Sequence, residues 1–179
     1  MRFIIAILVV LFGVVQAHPA CDSVGNYTIS MTLPDGYNLT DTNISTYEAL
    51  DGSKSTMYKV SYLNPTPINQ YGANDWVNAD VTVSDMSDIP DMQVGSDYLD
   101  NWTKSYKRMD ANIKSTGIYV TRKIDGHLAH VCEDQSTIDS SSFHAVYLLD
   151  TTHVVNIEIR GKLDLANMVF DSFHLDKKS

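Results

Sequence analysis

The chain is poor in the materials from which catalytic centres are built. Three glutamates stand beside nineteen aspartates, so no paired-carboxylate hydrolase suggests itself. No Gly-x-Gly-x-x-Gly follows a strand and no glycine-rich phosphate cradle is present, which excludes the common nucleotide-binding turns. There is no Gly-x-Ser-x-Gly elbow, and Ser140-Ser141-Ser142 ahead of Phe143 reads as a loop rather than a nucleophile. Basic residues are scarce as well: 13 Lys and Arg against 22 Asp and Glu give a net charge of −9. A surface of that sign repels phosphates, so nucleic acid is not expected as a partner. Cysteines number two, and only one long hydrophobic run occurs.

That run lies at the N-terminus. Arg2 precedes an apolar stretch from Phe3 to Val15, and Val15-Gln16-Ala17 supplies small residues for cleavage. A membrane-spanning helix needs about 20 apolar residues, so residues 1–17 read as an export signal, with no stable membrane insertion after its removal. The working chain then starts at His18 in a secreted or cell-surface location. Taking 17 residues from 179 leaves 162, enough for one core: an N-terminal extension over 18–26 and a single domain over 27–179. Arg2 leaves with the signal, so 12 basic and 22 acidic residues remain, a net charge of −10.

An oxidising exterior is where Cys21 and Cys132 would pair as a disulfide. Its loop of over a hundred residues is worth about 4 to 5 kcal/mol in the chain-entropy model. Lipidation of Cys21 is the competing use, disfavoured because His18 stands where bacterial lipoproteins usually carry a leucine or similar residue. Unbonded thiols are the third option. Four Asn-x-Ser/Thr acceptors, Asn26, Asn38, Asn43 and Asn101, suit a glycosylated exterior, whereas Asn64 is disqualified by Pro65.

Alternation predicts strands at Tyr27 to Leu33, Met57 to Leu63 and Val77 to Val83, while the Asn- and Thr-rich stretch up to Leu50 reads as loop or short extended pieces. Leu99, Trp102, Tyr106 and Met109 recur at helical spacing behind Ser96 as a cap, with Lys104, Lys107 and Arg108 on the solvated face. Asp125-Gly126 marks a two-residue hairpin that sets Ile124 against His127 and Tyr119 against Cys132. A second hairpin through Thr151-Thr152 is expected to set Val146 against Ile157 and Leu148 against Val155. Leu165, Ala166, Val169, Phe170 and Phe173 mark a closing helix. The fold class is therefore α+β: one antiparallel sheet of about six or seven strands with two main amphipathic helices packed on it.

His127, His130, Cys132, Glu133 and Asp134 offer the donor types of a zinc or copper site. Strand alternation sends His127 and His130 to opposite faces, so they are weak metal candidates, and no cofactor is expected. Asp85, Asp88 and Asp91 lack the spacing of a calcium loop and read as an acidic turn.

Four segments, Leu33-Pro34-Asp35-Gly36-Tyr37, Asp97-Tyr98-Leu99, Lys123-Ile124-Asp125-Gly126 and Phe170-Asp171-Ser172-Phe173, give the chain a resemblance to the PsbP-like family. Tyr37 stands where the family often has tryptophan. The resemblance implies an α/β/α sandwich used for binding and assembly, without a shared catalytic site. The functional expectation is an exported, non-enzymatic binding or assembly module meeting an envelope or extracellular protein or glycan. The alternative is an exported metal-binding protein or hydrolase using the His127 and His130 region, and a plainer one is a structural coat.

Overall fold

A computed structural model describes residues 17–64, 77–90, 93–113, 117–134 and 141–178. The expected export signal thus lies outside the described residues except for Ala17. Ten strands and two helices follow in the order β1 (Ala17–Val24), β2 (Tyr27–Pro34), β3 (Asn38–Glu48), β4 (Lys54–Asn64), β5 (Val77–Asp85), α1 (Ser96–Ile113), β6 (Ile118–Ile124), β7 (His127–Asp134), β8 (Ser141–Leu148), β9 (His153–Gly161), α2 (Leu163–Ser172) and β10 (His174–Lys177).

The α+β class stands, but the strands form two sheets rather than one. Seven pair antiparallel in the order β3-β4-β5-β9-β8-β7-β6, and three in the order β1-β2-β10. The expected strand at Tyr27 to Leu33 sits at the centre of the small sheet. Its apolar side, Tyr27, Ile29, Met31 and Leu33, is buried against the large one. The stretch 18–26, expected as an extension, is mostly β1, because Ala20 and Val24 alternate onto the same core.

The large sheet has two unlike faces, fixed by alternation. One carries Val60, Tyr62, Ala79, Val81, Val83, Ala129, Val131, Phe143, Ala145, Val155, Ile157 and Ile159, which pack with the small sheet and with Leu165, Ala166, Val169 and Phe170 of α2. Arg122 ties α2 to the sheet through Asn167 and Asp171 and lies over the Phe170 ring. On the other face α1 is held by a smaller cluster of Val94, Leu99, Val146 and Val154. Met109, expected on the apolar stripe of α1, is 57% exposed because that cluster ends before it.

The first hairpin has the expected register, Ile124 with His127 and Tyr119 with Cys132, and Asp125 and Gly126 have the positive φ values, 51° and 80°, that its turn requires. The second is displaced by one residue: Val146 pairs with Asn156, and Ala145 with Ile157. The reason is Asp150. Its Oδ1 accepts hydrogen bonds from the N–H groups of Thr152 and His153 at 2.8 and 2.9 Å, winding three residues into the loop in place of two. The N–H groups of Met86 and Val94 then donate to the carbonyls of Thr152 and Thr151 and pin that loop.

The expected disulfide is absent. Cys21 is exposed on the outer side of β1, whereas Cys132 is buried in β7 under α1, and the two sulfurs are not bonded. Cys21 is on the solvent side of the small sheet and Cys132 on the α1 side of the large one, so the shared core lies between them.

Candidate functional site

The α1 face of the large sheet is apolar only where the helix rests on it. Beyond Trp102 the same face turns polar, because alternate positions of four adjacent strands place Lys59 (β4), Asp80 and Thr82 (β5), Asn156 and Glu158 (β9) and His144 (β8) side by side. Trp102 and Tyr106, one turn apart on α1, overhang this floor with ring centroids 4.3 Å apart, and Tyr106 lies 5.2 Å from the His144 ring. Helix wall and sheet floor enclose a recess of about 130 Å³. A broader and more open depression of about 440 Å³, also bordered by Trp102, follows residues 93–105 but lacks this convergence of charged groups.

The electrostatics of the recess are mixed. Asp80 accepts a 2.8 Å hydrogen bond from Asn78 and lies 3.4 Å from the Lys59 ammonium. Glu158 is the direct cross-strand partner of Asp80 and also of His144, whose Nδ1 is 4.0 Å from its carboxylate. Burial lowers the pKa of His144 against the opposing pull of Glu158 and Asp134, which leaves the imidazole uncharged at neutral pH. Burial, with the Glu158 charge behind it, raises the Tyr106 hydroxyl to about 12, so it stays protonated. The recess therefore presents one cation, two carboxylates and several neutral groups that both donate and accept.

The residues singled out in the sequence lie elsewhere. His130 meets Thr103 of α1 at 2.9 Å, while His127 stacks on Tyr147 at 5.0 Å on the opposite face. Among the described residues no group of three or more His, Cys, Asp or Glu is arranged to hold a metal ion. Asp85 belongs to a partly exposed cluster around His153, which is itself only 4% exposed. His153 Nδ1 lies 2.8 Å from Asp150, and its Nε2 lies 3.2 Å from Asp85 and 3.1 Å from Lys177. Both ring nitrogens are engaged, so this imidazole ties β9, β5 and β10 together. Asp91 lies outside the described residues, as does Ser140 of the serine run.

Asn26, Asn38, Asn43 and Asn101 are all exposed, as are Lys104, Lys107 and Arg108, with the Lys107 ammonium over the Tyr119 ring at 5.0 Å. Two of the four asparagines sit on β3, the exposed edge strand that reads as loop in the sequence.

Sequence reasoning missed the recess because no two of its strands carry a motif. The signal was the polar side of Val77 to Val83, which a solvated face explains equally well. No known protein family matches the chain, and no curated protein and no solved structure is found to match it. Among the described residues no helix is long and apolar enough to cross a membrane.

Proposed function

We propose that the chain is an exported, non-enzymatic binding module of the cell surface or extracellular space. It takes its ligand, an envelope or extracellular glycan or protein, on the polar sheet face beside α1. The observation that carries this reading is the recess itself, where an aromatic wall and charged side chains from four strands converge on one rigid sheet. The leader-like residues 1–17 support export, and the four exposed Asn acceptors suit an external, glycosylated surface.

The metal-binding or hydrolytic reading around His127 and His130 has no observation in its favour, since the two point to opposite faces. The test is quantitative retention of envelope material by the immobilised protein, compared with a Lys59→Met/Glu158→Gln double variant. Saturable retention that the variant loses is the expected result. Equal retention by both proteins would refute the placement of the binding surface.

A further inference from the structure

We propose that the recess between α1 and the sheet binds one pyranose ring of a saccharide, its C–H face against Trp102 and Tyr106 and its hydroxyls on the strand floor. This inference rests on taking the recess as the binding surface and names the class of ligand it fits.

Four features narrow the class. The floor holds a donor without acceptor capacity, Lys59, acceptors without donors, Asp80 and Glu158, and groups with both, Asn156 and Thr82. A ring of vicinal hydroxyls, each able to donate and accept, answers all of them together. An ammonium ligand would meet Lys59, and a phosphate would meet two carboxylates. The recess, at about 130 Å³, is well below the 300 to 1,000 Å³ of pockets for drug-sized ligands, so it admits a single ring and not a nucleotide. The Trp102 and Tyr106 rings, tilted 38° to each other, give the wall an apolar surface against which the C–H face of a sugar ring can pack.

The fourth feature is a mismatch. Asp80 and Glu158 face each other directly across β5 and β9, a like-charge cross-strand pair that weakens a sheet. Lys59 and Asn78 attend to Asp80, whereas the basic group nearest to Glu158 is the His144 imidazole at 4.0 Å, which burial keeps uncharged. A hydroxyl donating to Glu158 would relieve the mismatch when ligand is bound.

Nuclear magnetic resonance titration of the ¹⁵N-labelled protein tests the proposal. The probes are the methyl glycosides of glucose, galactose, mannose and N-acetylglucosamine, with cellohexaose, mannohexaose and chitohexaose. Putrescine and inorganic phosphate serve as charged probes. The protein has two tryptophans, so Trp102→Phe assigns the indole signal. At least one saccharide is expected to shift the Trp102 indole and the Asn156 side-chain amide saturably. Glu158→Gln, which leaves the apolar packing alone, should weaken that binding about tenfold or more, the scale of one lost hydrogen bond to a charged group. If no saccharide perturbs these signals, or the shifts are indifferent to Glu158→Gln, the saccharide is wrong. Saturable shifts from putrescine or phosphate alone would overturn the saccharide and keep the recess as a binding surface, whereas silence from every probe removes both.

Discussion

Glu158 faces Asp80 directly across two strands, a like-charge pair whose cost to the sheet can be measured apart from the binding proposed for the recess. Opposite Asp80 it works against the sheet, so Glu158→Gln should leave stability unchanged or raise it by about 0.5 kcal/mol, even as it weakens ligand binding. Thermal denaturation checks this, and a clear loss of stability would mean that the carboxylate is structural. Two other groups each add a pH dependence to the fold. Partial burial would raise the Asp150 pKa, but hydrogen bonds from the Thr152 backbone and from His153 prevail and draw it down to about 2. Its contribution is therefore complete above the ordinary carboxylate range of about 4 and is lost as pH falls through about 2. His174 is shifted the other way: its hydrogen bond to Asp125 at 2.7 Å, reinforced by that charge, raises its pKa above 6.5. That tether is complete below pH 6.5 and is lost as pH rises through the higher folded value. His144 acts against this tether, because burial lowers its pKa and its contribution falls as pH drops below 6.5. His174→Asn should therefore remove the alkaline loss of melting temperature and leave the acid loss in place, as melting curves across pH would show.

At the scale of elements, the sequence was legible wherever alternation or a turn motif decided the outcome. Asp125-Gly126 set a register that the structure has residue for residue, because positive φ at two successive positions admits few other turns. Thr151-Thr152 misled, because the deciding group was the Asp150 carboxylate one residue earlier. β3 and β10 were illegible for another reason. β3 is an exposed edge with almost no buried side chain to pattern, and the four residues of β10 are too few for a period to show. The recess escaped notice because it is assembled from strands that meet only in space. The turns differ in sensitivity too. Gly126 has φ +80° with nothing near the position of a Cβ, so Gly126→Ala should lower stability by about 1 kcal/mol through backbone strain alone. Gly25 has φ +57°, and a Cβ there would run into the Tyr58 ring, which packs edge-on against Tyr27 at 4.9 Å. Gly25→Ala should therefore lower stability by about 2 to 4 kcal/mol, and paired chemical denaturation curves would show whether this order holds.

Taken whole, the molecule is held by burial rather than by a covalent link. With Cys21 exposed and Cys132 buried, alkylation of the native protein should label Cys21 alone, and denaturant should be needed for Cys132. Reductant should leave the melting temperature unchanged; a drop of several degrees would mean that a disulfide forms in solution after all. The small sheet adds a constraint of a different kind. β2 lies between β1 and β10, so Ser30 faces Cys21 on one side and His174 on the other, and the bond from the Thr32 N–H to Ser172 Oγ spans 140 residues. β2 is thus made early and completed late. Until residues 174–177 arrive, its free edge and much of its apolar side have no permanent cover. A chain fed through a narrow channel with its amino end leading would close its small sheet only after the clasp strand had followed it through.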